Sequence, residues 1–258
     1  MIIFAGIQVF LLISSLILFI PHSLFKKNIL SIIHLVQQRI HYFLIILFVV
    51  IFQIIEVNFI DLWSTDIIGI DFADFFYSIE QSLVANLHVI WHPLPLSFFV
   101  IMYIIVYPFI LWFSPMYYLV IDEKKPIKTL AYGLLIIFGL ALPFYLFFPV
   151  TNVYTYFHIP SALNSVFPNI ESFFYHTTTS NNCFPSLHVA VSIILMYSAS
   201  YTKNKKYYYF TFFSMIMIMI AVLYLVIHWI IDFIGGILIS IIAIFIIKHL
   251  ILEKRNHE

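Results

Sequence analysis

An all-helical bundle embedded in a membrane is the fold this sequence predicts, and three observations predict it. Hydrophobic residues make up 63% of the 258 and charged residues only 9%, against about a quarter charged in ordinary soluble domains. The apolar residues fall into runs close to the ~20 that a helix needs to cross a bilayer. Lysine and arginine gather in alternate connections between those runs. The runs give seven candidate spans, 2–20, 41–60, 97–120, 129–149, 186–201, 207–223 and 228–249, so about six to seven transmembrane helices are expected in one membrane domain, 1–258.

Each span is bounded by its own punctuation. The first is expected to be a retained span rather than a cleaved signal, because no basic stretch precedes it and Lys26 and Lys27 follow it. Proline and polar residues mark the connections at 21–40, 61–96, 121–128, 150–185 and 202–206. Counting the spans in order puts 21–40, 121–128, 202–206 and the C-terminal end on one face, and with them all twelve basic residues. Excess Lys and Arg marks the cytoplasmic side. The expectation is therefore an integral protein of the plasma membrane with its N-terminus outside and its C-terminus in the cytoplasm.

The two long outward connections are aromatic and acidic, with Asp61, Asp66, Asp71, Asp74, Glu80 and Glu171. They are expected to lie against the membrane surface, their Tyr and Trp forming the interfacial belt. The basic clusters need only topology and anionic headgroups. Gln53 and Glu56 are read as near-interface packing groups, and His88 with His92 as a satisfied interfacial pair. One cysteine, Cys183, excludes an internal disulfide. It lacks the Cys-x5-Arg loop of a thiol phosphatase, because Val189 stands where Arg would be. No Gly-rich phosphate loop, zinc-type Cys cluster or nucleic-acid motif appears.

Two polar knots interrupt the apolar pattern. NNCFPSLH at 181–188 stands where one span begins, and IHWIIDFIGG at 227–236 stands where the last does. Pro185 suits a first helical position, placing Ser186 and His188 in an opening turn, where unsatisfied N–H groups and the helix dipole favour an anion such as phosphate. Asn181 and Asn182 precede them as further donors, though loop-turn roles are open to both. The intervening helix 207–223, ~25 Å long at ~1.5 Å per residue, returns the chain to the outer face and brings His228 beside His188. His228 and Asp232, four apart, share one helix face. Two imidazoles and a carboxylate can transfer phosphoryl groups without a metal: one attacks phosphorus, the carboxylate fixes its tautomer, and the other protonates the leaving oxygen. Two rivals stay open: a metal held by His188, His228 and Asp232, and a transport or structural protein using the His/Asp pair as a proton relay or a helix lock.

FPSLHVA and HWIIDFIGG resemble the second and third signature motifs of the type 2 phosphatidic acid phosphatase superfamily, and most of all its branch related to inositol phosphorylceramide synthase. The layout from Val106 through FFPVTN at 147–152 is also similar to that branch, so the likeness spans a core of 106–245. The resemblance implies a lipid phosphatase or phosphotransferase, metal-independent and without a cofactor. Its substrate would be a lipid phosphate or diphosphate, with a polyol as a possible acceptor. It also implies the roles: His228 as nucleophile, Asp232 as its orienting partner, His188 as general acid and Ser186 as a phosphate donor. The superfamily's first motif, Lys-x6-Arg-Pro, is absent, for Ala131, Tyr132 and Leu135 stand seven residues after Lys124, Lys125 and Lys128. Ala221 and Val222 replace the Ser-Arg pair that opens the third motif. Without those cations, phosphate would be held by neutral donors, the helix N-terminus and protonated outward histidines at 88, 92, 158, 176, 188 and 228.

Overall fold

The computed structural model describes residues 2–20, 24, 28–175 and 178–252. Lys26, Lys27, His176, Lys254 and Arg255 lie outside the described residues. Among the described residues there is no strand, only an isolated parallel bridge between Val150 and Asn182. Among the described residues eight main helices, with shorter helical turns between them, organise the fold: α1 (Ile2–Phe19), α2 (Ile29–Ile68), α3 (Ala73–Glu80), α4 (Pro93–Val120), α5 (Lys125–Phe147), α6 (Leu187–Ala199), α7 (Lys205–Tyr224) and α8 (Ile230–His249). Five of them, α2, α4, α5, α7 and α8, are long and apolar enough to cross a membrane, and α1 and α6 supply shorter apolar helices. The protein is a polytopic membrane bundle.

The largest departure from the sequence expectation is α2. Residues 29–40 and 61–68, read as connections, continue the predicted span 41–60 into one helix of 40 residues, ~60 Å at ~1.5 Å per residue. No Gly or Pro falls between Ile29 and Ile68 to break it. Asn28 caps its start by accepting from Ser31 N at 2.8 Å, and Gly69, in the left-handed region at φ 62, ends it. The polar residues at its lower end are not merely topological. Arg39 is buried and its guanidinium donates to the carbonyls of Tyr118, Leu119, Ile121 and Asp122, satisfying the open C-terminus of α4.

Helix α4 widens into a π-helical stretch at Met102–Val106, just ahead of Pro108. A proline ring clashes with the carbonyl four residues back, and the wider turn relieves that contact. Short α6, 13 residues long and hence ~20 Å, runs through the centre and packs against α5, α7 and α8. Arg39, Lys124 over Tyr42, Lys125 over Tyr201 and Lys203 beside Glu123 all stand at the end of the bundle where α4 and α6 finish.

Much of the connection 61–96 is helical, with 61–68 completing α2 and Ala73–Glu80 forming α3. Helix α3 folds back over the two polar knots, because its amphipathic face offers Phe76 to them: its ring meets Phe184 at 5.6 Å and Trp229 at 6.3 Å. Phe76 is buried there, whereas Trp63, Phe75 and Tyr77 of the same connection are exposed.

Candidate active site

The strip 150–154 joins the two knots. Val150 N and Asn152 N donate to the carbonyls of Asn181 and Ser180, both at 2.7 Å, while Val153 N and Tyr154 N donate to Ile227 O and Val226 O at 3.2 and 3.0 Å. One short segment, extended up to the N-cap Asn152 and helical from Val153, thus holds 180–182 on one side and 226–227 on the other. Trp229 Nε1 adds a bond to Thr151 O at 2.9 Å. Val226 takes φ 59, costly for a β-branched residue, at the turn that delivers His228.

The result brings His188, His228 and Asp232 together at the starts of α6 and α8, with the two imidazole centroids 6.1 Å apart. That spacing leaves room for a phosphate between hydrogen-bonding groups. Two details differ from the sequence reading. His228 is not on the last helix: α8 begins at Ile230 after the N-cap Trp229, so no shared helix face pairs it with Asp232. Asp232 lies in the first turn instead, and its Oδ2 reaches back to accept from Trp229 N at 2.8 Å and to meet His228 Nδ1 at 3.3 Å. The carboxylate is at once the helix cap and the imidazole's partner, which is half of a capping box turned to a second use. Second, α6 starts at Leu187, so Pro185 precedes the helix and Ser186 is its N-cap. His188 does sit in the opening turn.

With Nδ1–H donated to Asp232, His228 is held in the tautomer whose Nε2 carries a lone pair. His188 is clasped by aromatic rings, with Tyr103 at 4.3 Å and Tyr107 at 4.6 Å between centroids, and its Nδ1 lies 3.4 Å from Tyr103 Oη. Buried Ser186 Oγ has no hydrogen-bond partner; its backbone N donates to Asp232 O at 3.0 Å. Asn182 Nδ2 donates to Glu56 Oε1 at 3.3 Å, and Asn181 Nδ2 to Thr65 Oγ1 at 2.9 Å. Both asparagines therefore tie the knot to α2.

His188, His228 and Asn182 line a cavity of about 670 Å³. Asn181 instead spends its amide on Thr65. The outward histidines do not gather there: His88 Nδ1 meets Ala85 O at 2.6 Å, His92 is the N-cap of α4, and His158 is exposed. Among the described residues no lysine lines the cavity either. Lys125 lies over Tyr201, beyond the far end of α6 from His188.

A metal would find a different trio from the one expected. Cys183, His228 and Asp232 are buried with donor atoms within 4.8 Å of one another, and Cys183 stands where His188 had been placed. Burial, and then the adjoining Asp232 carboxylate, push the Cys183 thiol well above its ordinary range. A neutral thiol is a poor nucleophile.

The residues that sequence reasoning missed come from distant elements. Glu80, at the end of α3, accepts from Ile230 N at 2.8 Å and Ile231 N at 2.6 Å, so a carboxylate from another helix caps the first turn of α8. Burial raises its pKa, and those two N–H groups act against the rise. Gln53 and Glu56, read as packing groups, line the cavity. Tyr103 and Tyr107, four apart at the π-helical stretch, were visible only as part of an apolar run.

The family model described as the PAP2 superfamily matches residues 73–246. The chain belongs to the PAP2 superfamily. The matched range begins at Ala73 and so takes in α3 and Glu80. Members of the PAP2 superfamily are phosphatases or phosphotransferases, so membership points to phosphoric-ester chemistry. No curated protein and no solved structure matches this PAP2 superfamily chain.

Proposed function

We propose that the protein is a lipid phosphatase or phosphotransferase working through a phosphohistidine intermediate, of the inositol phosphorylceramide synthase-like kind. The observation that carries this reading is a single cavity with two ends. His188 and His228 line its polar end, while Val9, Leu12, Val50, Leu111 and Met116, from α1, α2 and α4, line the rest. A phosphate group between the imidazoles leaves an attached acyl chain in apolar surroundings.

In this reading His228 Nε2 attacks phosphorus, Asp232 holds the ring and offsets the positive charge it gains, and His188 protonates the departing oxygen. Water or an alcohol then attacks the phosphohistidine, giving its proton to His188. Hydrolysis and transfer share the first step and differ only in the acceptor. Ser186 Oγ, Asn182 and the first-turn N–H groups of α6 hold the phosphate oxygens, with Asn181 fixing the segment that presents them. The site opens at the outer face of the plasma membrane, since the basic residues occupy the other end of the bundle and such residues mark the cytoplasm.

The test is to incubate purified protein with a panel of lipid phosphates, diphosphates and diesters, with and without polyols, and identify products. Wild type releases or transfers a phosphoryl group and His228→Ala does not. Turnover undiminished in His228→Ala refutes the mechanism. No turnover of any lipid points instead to a transport or structural use of the pair.

A further inference from the structure

A phosphate site ordinarily carries Lys or Arg, yet among the described residues none lines this cavity. A carboxylate does. Glu56 is fully buried, lines the cavity, accepts from Asn182 through Oε1, and leaves Oε2 without a partner. It opens the π-helical stretch Glu56–Ile60, a distortion that recurs at functional sites. The same turn bonds Asp61 N to Glu56 O, bringing a second buried carboxyl alongside. Tyr103, Tyr107 and Tyr145 contribute ring surface to the same walls.

A buried carboxylate with one oxygen unpartnered, beside aromatic rings, is the chemistry that binds an ammonium group, by ion pairing and by cation–π attraction. A phosphomonoester, with a charge near −1.5 to −2, meets only repulsion from it. A zwitterionic headgroup supplies the missing positive charge itself. We propose that the donor substrate is a zwitterionic phosphodiester lipid, its ammonium group on Glu56 and its phosphorus between His188 and His228; this rests on the phosphoryl-transfer reading above and narrows its substrate.

The step balances. The His228 Nε2 lone pair forms the N–P bond as the P–O bond to the lipid alcohol breaks, and the leaving oxygen takes its proton from His188. The amino-alcohol phosphoryl group is then bound to His228. An acceptor hydroxyl or water forms the new O–P bond, its proton returns to His188, and the N–P electron pair returns to His228.

The experiment measures diacylglycerol release by the full-length protein from four lipids with identical acyl chains: phosphatidylethanolamine, phosphatidylcholine, phosphatidylglycerol and phosphatidic acid. The expected result is kcat/KM at least tenfold higher for a zwitterionic lipid than for phosphatidylglycerol, whose diester carries no ammonium. In Glu56→Gln that ratio falls toward unity. Preference for ethanolamine assigns the ammonium to the carboxylate through N–H donation, and preference for choline assigns it to the rings as well. Wild type favouring phosphatidic acid or phosphatidylglycerol overturns the proposal without any variant, as does a ratio unchanged in folded Glu56→Gln, and either leaves the phosphoryl-transfer reading standing. If wild type turns over none of the four, the proposal falls, and the phosphoryl-transfer reading is decided by the wider panel that includes diphosphates.

Discussion

Replacing Gly236 with alanine tests the idea that the two motifs are held at catalytic spacing by one close contact between helices. A Cβ at this position would stand 2.5 Å from Ser186 O and 2.9 Å from Val189 Cβ. The first neighbour is backbone at the start of α6 and cannot rotate away. Ordinary contact begins at 3.4 Å, so α6 and α8 must separate by about 0.9 Å, the difference between 3.4 and 2.5 Å. His188 lies between the two contacting residues of α6, Ser186 and Val189, and Asp232 lies one turn from Gly236 on α8. Overpacking of this kind costs about 1–3 kcal/mol, or very roughly 2–12 °C in Tm for a chain of this size. A displacement near 1 Å at reacting groups costs on the order of 10²-fold in rate. The assay is turnover of whichever lipid the wild type accepts, with Tm measured in the same detergent. Gly139→Ala is the control, since nothing lies within 4 Å of its Cβ. A Gly236→Ala protein with wild-type Tm and a rate within about threefold of wild type refutes the close-packing argument, as tolerance of small shifts would set the loss well below the ~10²-fold expected.

Asp232→Asn should lower kcat by ~10²–10⁴ with little change in Tm, because an amide oxygen still caps Trp229 N, whereas Asp232→Ala should lose both; equal kcat in Asn and wild type would show that the carboxylate serves only the helix. Glu80→Ala removes the cap on Ile230 N and Ile231 N and should cost about 0.5–2 kcal/mol together with activity, with Glu80→Gln recovering part of each; an alanine variant as stable and active as wild type would show the contact to be incidental. For orientation, a cysteine placed at Lys205 in a Cys183→Ser background should resist an impermeant thiol reagent added outside intact cells, while one placed at Ser172 should react; the reverse pattern inverts the topology.

Hydropathy carried the fold, and spacing carried part of the site. The apolar runs of α1, α4, α5, α7 and α8 were legible because lipid requires each to close its own backbone hydrogen bonds. The ends of α2 were not, since composition at 29–40 reads as connection while helix continuation depends on the absence of Gly and Pro. His188, His228 and Asp232 stood out because polar groups inside apolar runs are costly. Their pairing geometry was harder to read. Four residues separate His228 from Asp232 on a helix or off it, and only the cap at Trp229 decides that His228 precedes α8. Glu80 and Glu56 left no local trace: one acts 150 residues along the chain, the other through a π turn that no periodicity announces.

In the proposed mechanism, the electrostatics of the two helix starts favour a phosphate seat where NNCFPSLH stands. Each helix N-terminus offers roughly half a positive charge and unsatisfied N–H groups. That of α8 is already occupied, by Glu80 on Ile230 N and Ile231 N and by Asp232 on Trp229 N. Among the described residues no carboxylate accepts from the first turn of α6, whose start holds Ser186 and His188. Carboxylates thus take up one positive helix end, among them the partner of the proposed nucleophile, and the proposed mechanism assigns the other to the phosphate. With no Lys or Arg lining the cavity among the described residues, that helix end is the backbone's own share of the charge needed to hold phosphate. Any further positive charge must come from protonated imidazole or arrive with the substrate.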